Sequence, residues 1–162
     1  MHARDAHIAR CKAKVQALAH KKPTKWAENV PGVKRNLNTT DKVVALTLDL
    51  CGRPGDSLDY RIVDYLVAYS VPTTFFVSCA WIAKHPKHFE YLKQHPFFDF
   101  QNHGRQHIPC SIAGNVIYDM TGTRNLDELL EEVEQAAVDL TPFLVKSHCI
   151  TDRAKPIMMK LP

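Results

Sequence analysis

Three side chains in this 162-residue sequence have the types and the spacing to hold a divalent cation beside a base. Asp49 closes an almost continuous apolar run, and His103 and His107 stand four residues apart directly after another such run. Two imidazole nitrogens and a carboxylate oxygen suit Zn²⁺, or a similar ion that keeps one position open for water. On a helical turn or in a tight loop, a spacing of four points both rings the same way. With nine histidines in the chain, that spacing alone is a weak signal. The competing reading is surface histidines, or histidines satisfied in a core. Asp49 adds weight, because an unpaired carboxylate at the end of a buried strand costs several kcal/mol unless it is hydrogen-bonded or faces a cation. Its structural competitor is an Asp that accepts backbone hydrogen bonds in the CGRPG loop that follows. His85, His88 and His95 read instead as one solvated helical face.

These residues need a scaffold that brings distant segments to one rim. Val43 to Leu50 (VVALTLDL) is apolar and β-branched enough for a strand buried on both faces. A CGRPGDS loop follows, then a helical stripe of Leu58, Ile62, Val63, Leu66 and Val67, then a strand over Val71 to Ser78. A helical stretch over Trp81 to His95 leads into a strand over Phe97 to Gln101. Asn125 with Glu128 has the form of a capping box, opening a helix whose Leu126, Leu129, Leu130, Val133, Ala137 and Leu140 face a core. A short strand near Phe143 to Val145 and a helical piece near Arg153 to Lys160 close the chain. Repeated βα units predict an α/β fold with parallel strands, as a sheet or as part of a (βα) barrel. The loops after the strand C-termini then gather at one face, which makes Asp49, Ser78 and His103 site candidates.

Composition excludes other classes. The hydrophobic fraction of 45% supports a core, and no apolar run approaches the roughly 18 residues of a membrane helix. The net charge of +4 is local: residues 1 to 26 hold seven Lys or Arg against Asp5, leaving 14 basic and 16 acidic residues for the rest. The body has no basic groove, so nucleic acid is not an expected partner. Residues 3 to 19 place Ile8, Cys11, Val15 and Leu18 on one face of an amphipathic helix with a basic opposite face. We expect a basic helical arm over residues 1–25, packed loosely on a domain over 26–162. As an interaction module, that arm would bind an acidic partner or a membrane surface. Five cysteines without a CxxC pair argue against a disulfide framework. No apolar segment of signal-peptide type follows the basic N-terminus, so the chain as written reads as cytoplasmic.

VALTLDLCG (Val44 to Gly52) resembles the first motif of the NodB-homology polysaccharide deacetylases, carbohydrate esterase family 4, in a variant where Asp-Asp-Gly becomes Asp-x-Cys-Gly. NHGRQH (Asn102 to His107) resembles their second motif, the metal-binding histidine pair. LDYRIVDYLVAYSVPTTFFVSCAWI and YDMTGT (Tyr118 to Thr123) are similar to intervening and following segments, so the likeness covers about residues 26 to 140. The resemblance implies a distorted (βα) barrel and a metal-dependent hydrolase that removes N-acetyl groups from amino-sugar polymers such as peptidoglycan or chitin. His103 and His107 match its metal ligands, and Asp49 its catalytic base. The family's second Asp falls on Leu50, which leaves Asp49, Cys51 or water as the third ligand. Zn²⁺ is the expected metal, with Co²⁺ the alternative, and an N-acetylated glycan is the expected partner.

The family's later motifs carry an Arg, an Asp/Trp segment and a Leu-x-His. Lys146 lies roughly where the Arg is expected, and His148 is the only histidine after His107. The chain thus reads as a C-terminally truncated relative with a partial barrel, whose exposed edge strand a second copy would cover. The family is mostly periplasmic or extracellular. The alternative function is a catalytically impaired relative that binds glycan or metal without turnover.

Overall fold

A computed structural model describes residues 3–18, 20–21, 39–141 and 158–160. At its centre is a parallel three-stranded sheet in the order β2-β3-β4: β2 is Thr47–Leu50, β3 Thr73–Val77 and β4 Phe98–Asn102. The register sets Asp49 beside Phe76 and Phe76 beside Gln101, with Leu50, Val77 and Asn102 as the next row. The strands therefore end level, and Cys51, Ser78 and His103 all emerge at one rim.

One sheet face carries the core. Leu50, Phe75, Val77, Phe98 and Phe100 pack against Val63 and Leu66 of helix α2 (Tyr60–Ala68) and against Trp81, Phe89 and Leu92. Asp59 caps α2 by accepting the Arg61 N–H at 3.0 Å. Burying a large apolar side chain contributes about 1.5–3 kcal/mol, so this aromatic-rich layer is the main stabilising element.

Several expectations need correcting. Val43 to Leu50 is two strands, β1 (Val43–Ala45) and β2, separated at Leu46. β1 pairs antiparallel with β7 (Met158–Lys160), whereas β2 pairs parallel with β3, so the chain changes partner between them. The run is half-exposed rather than buried on both faces, because β2 is an edge strand among the described residues and Thr47 and Asp49 lie on the more open face. Residues 158–160 are strand, not helix; Phe143 to Val145 lie outside the described residues. The helix expected over Trp81 to His95 breaks at His85 into α3 (Cys79–Lys84) and α4 (Pro86–Lys93). Pro86 has no N–H to continue α3 and disfavours helical backbone at the residue before it. Ile62, assigned to the core stripe, is 48% exposed.

The histidines of this region are not a solvated face. His85 stacks on His88 with ring centroids 5.3 Å apart, Trp81 lies 5.3 Å from His85, and His95 packs edge-on against Tyr91 and Phe98. They fill out an aromatic layer over the core.

The C-terminal helix departs most from its pattern. Asn125 caps it as predicted, accepting the Glu128 N–H at 2.9 Å. After α5 (Leu126–Leu130), however, the chain forms one π-helical turn over Glu131–Gln135 before α6 (Ala136–Leu140). An inserted residue rotates everything after it, so Glu132, Glu134 and Gln135 are buried where the helical stripe placed only apolar residues. The N-terminal helix is present as α1 (Ala3–Gln16) and packs on α5 and on the π turn. His7 and Lys12 form ion pairs with Glu134 and Asp127 across that contact, and Val15 and Leu18 of the expected apolar face stay exposed. The sheet is thus a partial parallel α/β arrangement; no closed barrel forms among the described residues.

Candidate metal centre and cleft

The site begins with strand alternation. Side chains two apart share a face, so Asp49 and Cys51 project on the same side of β2 while Leu50 turns into the core. The Ser78 hydroxyl fixes Cys51 by donating to its carbonyl at 2.7 Å, and accepts the Trp81 N–H as the cap of α3. Ser78 is fully buried, so its role is to hold the rim rather than to face a ligand. Gly52 follows at φ +84°, where a Cβ would press on the backbone of Trp81 at 2.7 Å. The backbone-capping role considered for Asp49 belongs to Asp56, whose carboxylate accepts the Arg53 N–H at 3.1 Å.

His103 continues the β4 ladder, donating its backbone N–H to Val77 at 2.9 Å. Its ring lies 4.6 Å from that of His107, centroid to centroid. Residues 103–107 form a loop rather than a helical turn, and His107 adopts a left-handed backbone at φ 57°. The loop is held from the π turn. The buried Glu132 carboxylate accepts the backbone N–H groups of Gln106 at 2.9 Å and His107 at 2.8 Å, with Ile108 at 3.3 Å. The Glu132 carbonyl accepts the Arg105 N–H at 2.9 Å, and the Val133 carbonyl accepts Asn102 Nδ2 at 3.0 Å. A π turn frees carbonyls from the usual helical ladder, and here the loop uses two of them. Gly104, at φ +88°, is needed because a Cβ there would collide with the Glu132 carboxylate.

The four chemistry-bearing side chains meet at this rim. Cys51 Sγ is 3.6 Å from His103 Nε2, and Asp49 Oδ2 is 4.0 Å from the same nitrogen. Donor atoms of Cys51, His103 and His107 all lie within 4.8 Å of one another. The Asp49 side chain is 58% exposed, which leaves it open to water and to a ligand. Burial pushes the His103 imidazole pKa down, with Asp49 opposing and His107 reinforcing that shift. Burial also pushes the Cys51 thiol up, helped by Asp56 and Asp49 and opposed by Arg53. Both effects hold these groups neutral in the absence of a cation. His107 Nδ1 is buried without a hydrogen-bond partner. An unpartnered ring nitrogen beside a second imidazole and a thiol is a donor set that fits a borderline-soft divalent ion.

A cleft of about 580 Å³ opens from the histidine pair. Arg53, Cys110 and Met120 line it, together with Ile117 and Tyr118 of a hairpin formed by β5 (Val116–Ile117) and β6 (Met120–Thr121). Tyr118 and Asp119 form the turn with φ 52° and 59°, the mirror-image geometry that suits two-residue hairpins. Tyr118 is 85% exposed at its tip.

Sequence reasoning named Asp49, His103 and His107, with Cys51 among the alternatives for third ligand, and the fold brings all four to one place. It missed Glu132, because a glutamate among LEEVEQ reads as solvent-facing until the π turn rotates it inward. Lys146 and His148 lie outside the described residues. Among the described residues there is no disulfide, and no helix is long and apolar enough to cross a membrane.

Fold and rim together define a parallel α/β protein with a candidate divalent-metal centre at its strand C-termini. The polysaccharide deacetylase family matches residues 36–141, well over half of the chain. The protein belongs to that family, whose reaction is deacetylation of glycans. No curated protein and no solved structure matches the chain.

Proposed function

We propose that this protein is a metal-dependent hydrolase that cleaves the N-acetyl amide of an amino-sugar polysaccharide of the peptidoglycan or chitin type. The observation that carries this reading is the approach of Asp49, Cys51, His103 and His107 to one another, with the two histidines lining a cleft, in a member of the polysaccharide deacetylase family. His103, His107 and Cys51 would hold the ion, with Zn²⁺ the best match to two nitrogens and a sulfur and Co²⁺ a workable substitute. Such an ion, when bound, polarises a carbonyl and makes water acidic enough to deprotonate near neutral pH.

The chain supplies the rest. Asp49 Oδ2 takes the proton from attacking water as general base, a role that its exposure and its 4.0 Å separation from His103 permit. The exposed Tyr118 ring at the cleft edge offers a flat apolar face for a sugar, and Arg53 a hydrogen-bond donor for its hydroxyls. The basic stretch over residues 1–25 is an arm on the catalytic domain, which spans 26–162.

The test is acetate release from N-acetylated chitooligosaccharides and peptidoglycan fragments by metal-free and Zn²⁺-loaded protein. Zn²⁺-dependent release is expected; metal uptake with no acetate above background would replace the hydrolase with the glycan- or metal-binding relative. One feature favours that second reading. Leu50 occupies the family's second-Asp position and faces the core, so Asp49 is the only carboxylate that β2 offers to the site.

A further inference from the structure

A second cluster of metal-binding side chains joins the N-terminal helix to the π turn, and it shares no residue with the site at the sheet rim. His7 and Cys11 lie one turn apart on the same face of α1. His7 Nε2 is 2.9 Å from Glu134 Oε2, and Cys11 Sγ is 3.6 Å from His7 Nε2. Donor atoms of all three lie within 4.8 Å of one another. In a tetrahedral zinc site with metal–nitrogen and metal–oxygen bonds of about 2.0–2.1 Å and a metal–sulfur bond of about 2.3 Å, neighbouring donors are about 3.3–3.6 Å apart. The sulfur–nitrogen separation matches that range, and the nitrogen–oxygen pair, at hydrogen-bond distance, would open by about 0.4–0.5 Å to admit the ion.

Charge points the same way. Glu134 is 9% exposed and lies at hydrogen-bond distance from His7, and a divalent ion would take the place of the proton between them. One carboxylate, one thiolate and one neutral imidazole together carry the charge that neutralises a divalent ion. The His7 side chain is 27% exposed, which leaves an entry path and a fourth position for water. Nitrogen and sulfur donors select against Mg²⁺ and Ca²⁺.

The geometry points to a structural Zn²⁺ site formed by His7, Cys11 and Glu134, which clamps α1 onto the π turn. The π turn would then have a metal-linked contact on each side, Glu134 toward α1 and Glu132 toward the His103–His107 loop. This inference does not rest on the deacetylase reading, and a glycan plays no part in it.

The experiment uses the full chain carrying Cys51→Ser and His103→Ala, which disables the rim donors, kept reduced and titrated with Co²⁺. One bound equivalent is expected, with a near-ultraviolet thiolate-to-cobalt band that disappears when Cys11→Ser is added. No bound metal, or a band that survives Cys11→Ser, would overturn the assignment. A second readout uses the unsubstituted protein. Zn²⁺ is expected to shield Cys11 from alkylation, as located by mass spectrometry, and His7→Ala is expected to abolish that shielding. Equal Cys11 labelling with and without Zn²⁺ would also overturn it. Failure of the deacetylase reading would appear as missing acetate release and would leave both outcomes unchanged.

Discussion

The carboxylate of Glu132, inside a π-helical turn, accepts the backbone N–H of His107 at 2.8 Å. That bond and its neighbours from Gln106 and Ile108 hold His107 in a left-handed backbone conformation that a non-glycine residue adopts only at a cost. A buried side chain distant in sequence thus sets the direction of a proposed metal ligand.

Replacing Glu132 with Ala is therefore expected to destabilise the fold by about 2–4 kcal/mol, since it leaves buried backbone donors unsatisfied. Urea unfolding measures that loss. Glu132→Gln, which keeps an acceptor oxygen, is expected to retain more stability while weakening metal affinity. Identical Zn²⁺ affinity in all three proteins would show that the loop holds its shape without Glu132.

Gly104 and Gly55 give a matched comparison. Both have positive φ, +88° and +86°, but a Cβ at Gly104 meets the Glu132 carboxylate while one at Gly55 meets nothing within 4 Å. Gly55→Ala is expected to cost about 1 kcal/mol of backbone strain. Gly104→Ala is expected to cost more and to lower metal uptake as well. Equal unfolding midpoints for the two variants would contradict the steric account.

The rim side chains divide by role. His103→Ala is expected to remove stoichiometric metal, read by elemental analysis of dialysed protein. Asp49→Asn is expected to keep the metal and to lower kcat by about 100- to 10,000-fold, the usual contribution of a general base. Loss of metal from Asp49→Asn would make Asp49 a ligand rather than the base.

Cys79 provides a pH prediction away from the site. Burial, reinforced by Asp139, pushes its thiol up to about 11 from an ordinary value of 9.0. Its contribution to stability is then fully present below pH 9.0 and is lost as the pH rises through about 11, where the folded chain must also ionise. The urea midpoint of the native chain is expected to fall more steeply over this window than that of Cys79→Ala. Parallel curves would show that the thiol is not held protonated by the fold.

Much of this molecule is legible in its residues. VPTTFFVS and FFDFQ have the length and composition of buried parallel strands, and both form, because an apolar run flanked by breakers has few other ways to leave water. Asp49, His103 and His107 could be identified from residue type and from their place at the ends of such runs. The helix break at Pro86 has a local cause, whereas another boundary was decided by distant partners. Val43 to Leu50 divides because its two halves pair with different strands, which no local pattern encodes.

The sequence by itself determined the two inner strands, the Asn125 cap and the identity of the rim residues, since those follow from side-chain chemistry and short-range periodicity. Only the tertiary structure decided that Glu132 and Glu134 turn inward. One π turn shifts the angular phase of a helix, and that shift is stabilised by contacts with a loop and a helix far away in the chain.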